Sequence, residues 1–503
     1  MNTSVAIAAA LNEQLNRHLV RPDGQEDLCF ALWNPSRGHS RTSALLSEVI
    51  LPLPGDRNIH GNASFNPRYV ERAIDAALAT GCGVAFLHSH PSSGWQDLSE
   101  DDVRAERLLA PTILGATGLP LVGLTLGARD GTWSARFWEK KGPGDYAHNW
   151  CISVRIIGQT LRVNFCDRLI VPPKHRPAQV RTVSVWGPDV QSNLARLKIG
   201  IVGLGSVGSI VAESLARIGF QHLVLIDYDT IKEHNLDRTL HATYEDVLAR
   251  RAKVSVSRRA MIASATAMPF TADALEYSVC EEEGYRAALD CDVLFSCVDR
   301  PWARSTLNFI AYAHLIPVID GGIRASRTKA GAWRGADWKA HTAGPERRCL
   351  HCLQQYDPGL VAVDKRGDLD DPTYLDSLPK DHEARANENV FAFSLGLASL
   401  EIAQFLLLAI GPLGIGPIPQ NYHLITGGID LGKGNCDDDC GFPARIAVGD
   451  TEHAGTDIHP AAEHERQFRA QKQPAAVRRW FIALLRRLWP NRAPADVTRG
   501  RHS

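Results

Sequence analysis

The chain carries no excess of either charge: Lys plus Arg number 55 against 56 Asp plus Glu in 503 residues. Nothing in the global balance therefore points to nucleic acid or to a generally acidic partner, and partners have to be read from local sites. The start lacks a basic lead and a small-residue cleavage site, so Met1 to Val20 reads as an ordinary amphipathic helix, and a cytoplasmic protein is expected. A disulfide framework is missing too. Eleven cysteines in so long a chain are too sparse for one, and four of them fall in two close pairs, which in a reducing compartment points to metal. No internal repeat is present. Only Val390 to Ile410 approaches the ~20 apolar residues needed to cross a bilayer. Glu401 and Gln404 near its middle predict instead a buried or half-buried helix of an α/β domain, with no transmembrane span.

The length suits about two or three domains. Residues 1–145 hold apolar strand-like runs (Leu28 to Trp33, Leu45 to Leu51, Gly83 to Leu87, Leu119 to Leu126) and a helix after Ser99, which predicts an α+β domain. Residues 146–178, bracketed by Gly142-Pro-Gly144 and the proline-rich Val171 to Pro177, hold strand-like segments around Ile152 to Phe165 and read as an extended connector. From 179 to 450, strands and helices alternate from Ile199 onward, which predicts a doubly wound, Rossmann-like parallel sheet, so the class is α/β. Residues 451–503 read as a polar tail ending in a basic amphipathic helix, Val477 to Trp489. It suits either a docked partner or membrane surface, or packing on its own domain.

In the first domain, His88-Ser-His90-Pro91 alternates two imidazoles onto one face of a strand end, and Asp102 on the following helix supplies a third ligand. Three protein ligands suit a catalytic zinc with an open position. Glu26, just before the strand Leu28 to Trp33, is placed to be the general base for a zinc-bound water, with Glu48 its rival. Ser99 is placed to stabilise an oxyanion. Ser99 and Asp102 also satisfy a helix capping box, and both readings of Ser99 stand. The set resembles the motif of the JAMM (JAB/MPN) metallo-isopeptidases, a Glu on an early strand followed by His-x-His-Pro, Ser and Asp. Here one extra residue, absorbed at the Gly94 loop, separates His90 from Ser99.

In the second domain Gly203, Gly205 and Gly208 lie between an apolar strand and a helix, where backbone N–H groups approach phosphate. Asp227, at the end of the next strand, is a ribose ligand in any dinucleotide fold. Beyond it, Asn235, Arg238 and Lys253, and then Asp299 after Val293 to Cys297, resemble the adenylation domain of the ubiquitin-activating and sulfur-carrier-activating (ThiF/MoeB-type) family. The resemblance implies that Asp227 binds ribose, that Asn235, Arg238 and Lys253 bind triphosphate, and that Asp299 positions Mg²⁺. It also implies that Arg181, in Arg181-Thr-Val-Ser-Val-Trp-Gly187, reaches the partner's ATP site in a homodimer. Cys349, Cys352, Cys436 and Cys440 resemble the family's structural zinc site, although the second pair is C-x-x-x-C. Ubiquitin activators place a thioester-forming cysteine after the first pair. Leu353 to Asn389 contains none, leaving hydroxyls such as Thr373 and Ser377, with Asp381 or His382 as a neighbouring base, for any acyl intermediate.

Together the two resemblances imply a fused enzyme that adenylates the C-terminus of a ubiquitin-like protein with MgATP and hydrolyses bonds after that terminus. The fused activating and deconjugating component of bacterial ubiquitin-like conjugation operons is similar, which implies a conjugating enzyme as a further partner. The alternatives are activation and processing of a sulfur-carrier protein, and a non-catalytic scaffold that binds a ubiquitin-like protein.

Overall fold

In the computed structural model, which describes residues 1–60, 62–328, 331–377, 389–432 and 434–470, the chain begins as a strand and not as a helix. Strand β1 (Asn2–Ala8) pairs in parallel with two later segments, and the helix Ala9–Leu19 takes up only the remainder of the expected span. Thr3 through Ala8 are buried. A short apolar run does not distinguish a buried strand from a buried helix by periodicity, and pairing with distant strands decided it.

The strands that follow are β2 (Leu28–Arg37), β3 (Arg41–Ile50), β4 (Arg57–His60), β5 (Asn62–Phe65), β6 (Gly83–His90), β7 (Val122–Gly127), β8 (Thr132–Gly142), β9 (Asp145–Trp150), β10 (Ser153–Ile157) and β11 (Leu161–Phe165). All but the β4–β5 hairpin join one nine-stranded sheet in the order β11-β10-β1-β3-β2-β6-β7-β8-β9. Residues 146–165, expected in the connector, thus complete this sheet: β9 pairs with β8, and β10 lies beside β1. Only Cys166 to Arg176 runs irregularly between the domains.

The second sheet comprises β12 (Lys198–Val202), β13 (His222–Ile226), β14 (Thr271–Leu275), β15 (Val293–Ser296), β16 (Val318–Arg327), β17 (Trp333–Ala343), β18 (Gln420–His423) and β19 (Gly428–Leu431), ordered β14-β13-β12-β15-β16-β17-β18-β19. The first five pair in parallel, and β17 to β19 add an antiparallel extension. The order reverses between β12 and β15, so the crevice of this doubly wound sheet opens at their carboxyl ends.

Among the described residues one helix, Phe391–Ile410, is long and apolar enough to cross a membrane. It packs on β16, β17 and the helix Ser206–Ile218, with Glu401 and Gln404 fully buried and Gln404 bonded to Thr342 and to the Ile418 carbonyl. The segment expected as a polar tail is partly built into the second domain: residues 460–470 form a helix whose Glu465 meets Arg250 and whose Arg466 meets Glu281. The basic stretch Val477 to Trp489 lies outside the described residues, as do Asp381 and His382.

One apolar cluster crosses between the domains, joining Ala6, Leu45, Ile157 and Leu161 of the first sheet to Ile199, Leu215 and Phe405 of the second domain. Polar groups close its edge, with Arg41 and Arg155 on Asp292, and His314 between Ser36 and Tyr285.

Candidate functional sites

The register of β6 fixes the first site. His88 and His90 alternate onto one face at its carboxyl end, and Ser99 starts the helix Glu100–Thr117 with a full capping box to Asp102. The hydroxyl of Ser99 donates to Asp102 Oδ2 at 2.7 Å and accepts from the Asp102 N–H at 3.1 Å, so the cap also orients a ligand. The extra residue of the loop is absorbed at Gly94, whose φ of +78° places its N–H on Asp130.

The two Nε2 atoms lie 3.2 Å apart, and oxygens of Asp102 lie 3.4 Å from His88 and 3.3 Å from His90. Burial opposes the Asp102 charge, yet the two imidazoles hold its carboxyl well below the usual carboxylate range. Three potential metal-ligand atoms converge on one point. Two nitrogens and an oxygen, with room for a further ligand, fit a zinc ion.

Glu26 faces this trio. Burial pushes its carboxyl up from 4.5, against the pull of His90 and His88, so proton transfer comes closer to neutral pH. Its rival Glu48 is exposed on β3 opposite Leu32. Glu26 is held there by neighbours the sequence did not single out. The Asp27 N–H donates to Ser89 Oγ between the two histidines, Ser89 donates to the Leu19 carbonyl, and the Asp27 carboxylate takes Arg57 at 2.5 and 2.8 Å. These partners lie 62 and 30 residues apart along the chain, so no local motif announces them.

The second site forms at the crevice. Gly203 has φ +87°, and a Cβ there would come 2.5 Å from the Cys297 carbonyl; one at Gly208 would run into the carbonyl of Gly203. Gly205 precedes the helix Ser206–Ile218 as its cap, with open space around it. Asp227 Oδ2 accepts from the Leu204 N–H at 2.6 Å, which ties the glycine loop to the expected ribose ligand, and burial raises its carboxyl. Lys253 Nζ donates to Asp229 at 2.8 Å; despite burial, the carboxylates of Asp227 and Asp229 hold it above its ordinary range. Asp299 is exposed at the end of β15 and adds to the same field on Lys253.

The remaining candidates sit at varying distance from this centre. Asn235 is buried and accepts from the Lys232 N–H. Arg238 turns its guanidinium onto the His234 carbonyl and Asp237. Arg181 is exposed on the helix Val180–Trp186, which buries none of its residues. The Ser377 hydroxyl donates to the Tyr374 carbonyl, and the Thr373 backbone N–H donates to Asp371.

The four cysteines converge, with Cys349 Sγ 3.7 Å from Cys440 Sγ and all four sulfurs within 4.8 Å of one another. The spacing C-x-x-x-C closes normally. Asp437, beside Cys436, is paired with Arg348 at 2.9 Å. All eleven cysteines are free, and this set fits a four-thiolate zinc ion.

A doubly wound sheet with a glycine loop, a carboxylate at the next strand end and the half-buried Lys253 nearby is an arrangement able to cradle phosphate. Residues 178–411 match the ThiF family model. Adenylyltransferase and sulfurtransferase UBA4 of Yarrowia lipolytica is 29% identical over 189 residues, 37% of this chain and 43% of that protein. Ubiquitin-like modifier-activating enzyme 5 of Dictyostelium discoideum is 30% identical over 123 residues, 23% of this chain and 32% of that protein. A crystal structure of E. coli MccB with succinimide overlaps 53% of this chain and 74% of its own at 17% identity and a TM-score of 0.40. The chain spans about half the length, or less, of the curated relatives it matches. The His88, His90 and Asp102 trio lies outside the matched segment.

Proposed function

We propose that the chain is bifunctional: it adenylates the C-terminus of a ubiquitin-like or sulfur-carrier protein with MgATP, and its first domain is a JAMM-type zinc peptidase that cleaves after that terminus. The observation that carries this reading is the presence of two complete, separate constellations in one packed body: Glu26 facing His88, His90 and Asp102, and Lys253 beside Asp227, Asp229 and the glycine loop.

In the adenylation half, the glycine loop and Asp227 seat the nucleotide, and Lys253, freed from Asp229 when phosphate arrives, neutralises charge as pyrophosphate departs. Asn235 and Arg238 add to the triphosphate contacts, and Asp299 holds Mg²⁺. Arg181 serves the partner's site in a homodimer. In the hydrolytic half His88, His90 and Asp102 would hold zinc, which would lower the pKa of a bound water. Glu26 takes that proton on its carboxylate and returns it to the leaving amine. Ser99, already committed to Asp102 through its proton, serves chiefly to orient that ligand. Cys349, Cys352, Cys436 and Cys440 hold a structural zinc.

A sulfur-carrier partner is favoured by a specific observation: no cysteine lies between Leu353 and Asn389 to take a thioester. The first relative named above is also a sulfurtransferase by name. A conjugating enzyme as further partner belongs to the ubiquitin-like version. Incubating the full chain with ATP, Mg²⁺ and a ubiquitin-fold protein ending in Gly, with and without a C-terminal extension, tests both halves by intact mass. The adenylate and the trimmed product are expected. Neither mass appearing with any such partner, while zinc and ATP both bind, would leave the scaffold reading in its place.

A further inference from the structure

Behind the candidate zinc ligands lies a buried charged bracket that no step above uses. The helix Glu100–Thr117 carries Asp102 and, one turn further on, Glu106. Glu106 is fully buried and accepts from Arg136 Nε at 2.8 Å, from a second nitrogen of the same guanidinium, and from Trp138 Nε1 at 2.5 Å. Arg136, on β8, is equally buried, and its remaining nitrogen donates to Thr125 Oγ1 at 2.7 Å. Thr125 stands on β7 in register with His88 on β6, its hydroxyl oxygen 3.3 Å from His88 Nε2. The room for this arrangement is made by Gly123, where a Cβ would come 2.5 Å from Glu106 and 2.6 Å from Arg136.

A buried ion pair is a poor device for stability, because replacing both partners with apolar side chains is often neutral or favourable. This one makes a geometric link instead. A ligating histidine is ordinarily oriented through the nitrogen that faces away from the metal. His88 Nδ1 is buried without a hydrogen-bond partner, so that route is missing. Its polar neighbour on the other side is Thr125, whose oxygen accepts from Arg136 and lies 3.3 Å from His88 Nε2, beside the space between the ligands.

We propose that Arg136 is the positioning residue of the metal site: through Glu106 it grips the helix that carries Asp102, through Thr125 it grips the strand end that carries His88, and so it sets the separation of two ligands. The proposal rests on the zinc-peptidase reading of the first domain.

Zinc affinity of the full chain, measured by competition with a chromophoric chelator, tests it without recourse to activity. The variants are Thr125→Val, which keeps the shape and deletes the hydroxyl, and the double variant Glu106→Leu/Arg136→Met, which leaves no unpaired charge. His90→Ala serves as the reference in which only cysteine-bound zinc remains. Zinc at the histidine site should weaken about 10- to 100-fold in both, the range found when a supporting partner of a metal ligand is removed, with thermal midpoints close to wild type. A merely structural role would lower the midpoint and leave the affinity of the folded protein unchanged. If His90→Ala loses one zinc while folded Thr125→Val binds within about twofold of wild type, the bracket is refuted and the peptidase reading stands. If His90→Ala and wild type hold the same zinc, both fall. Should the double variant not fold, Thr125→Val decides alone.

Discussion

Arg41 at the head of β3 donates to Asp292 just before β15 at 2.5 Å, with both side chains about 5% exposed or less. One residue belongs to the first domain and the other leads into the strand that ends near Asp299. The same carboxylate lies 3.7 Å from Arg155, which burial, and then the Arg41 charge, pulls down to about 9. Removing Asp292 leaves two buried guanidinium groups unanswered. Asp292→Ala should therefore cost about 3–5 kcal/mol in denaturant unfolding, and because an apolar cluster also spans the interface, the wild type should unfold in one transition. Two separable transitions in the wild type would contradict the single packed body.

Glu26→Gln should lower hydrolysis of a ubiquitin-fold fusion at least about 100-fold, since no carboxylate remains to move the proton, while the zinc content stays unchanged. Glu48→Gln should cleave normally. The reverse pattern in a gel-based cleavage assay would hand the role of base to Glu48.

Lys253→Ala and Asp299→Ala should each reduce partner-dependent pyrophosphate exchange into ATP by about 100-fold or more and leave hydrolysis intact. The two sites use separate chemistry. Exchange that persists in Asp299→Ala would remove that residue from the Mg²⁺ role.

Metal analysis should give two zinc ions per chain. Cys352→Ser should lose one of them, unfold at a lower temperature because structural zinc contributes folding energy, and retain the other with its hydrolytic activity. A single zinc in the wild type, unaffected by the substitution, would remove the cysteine site.

His314 is buried between Ser36 Oγ at 2.8 Å and Tyr285 Oη at 2.7 Å, and burial, helped by the Arg286 charge, pulls it from 6.5 down to about 3. Between those values the folded chain binds fewer protons there than the unfolded chain. Its contribution is complete above pH 6.5 and is lost as the pH falls toward 3. From pH 7 to pH 5 the wild type should lose about 2 kcal/mol more stability than His314→Asn. Equal losses in urea titrations at the two pH values would show that the ring is protonated in the folded state.

The candidate site residues were legible because each motif is local. His88 and His90 are two apart on one strand, Ser99 and Asp102 open one helix, and the glycines span a single turn, so period and spacing alone place them. The strand character of Asn2–Ala8 was not, because an apolar run of that length has no periodicity of its own, nor was the place of residues 146–165 in the first sheet, because β10 lies beside β1 from the far end of the domain's sequence. Sequence preferred Glu26 to its rival Glu48 as the candidate base by its place ahead of the strand, and the anchoring of Asp27 to Ser89 and Arg57 beside it was not legible. The Glu106, Arg136 and Thr125 bracket, like the union of Arg41 with Asp292, joins side chains whose desolvation is worth its cost only when three or more strands and a helix have already met. The sequence by itself determined which chemical groups the protein owns. The tertiary structure decided which of them face one another, since burial and long-range pairing set both the distances and the charges at which they work.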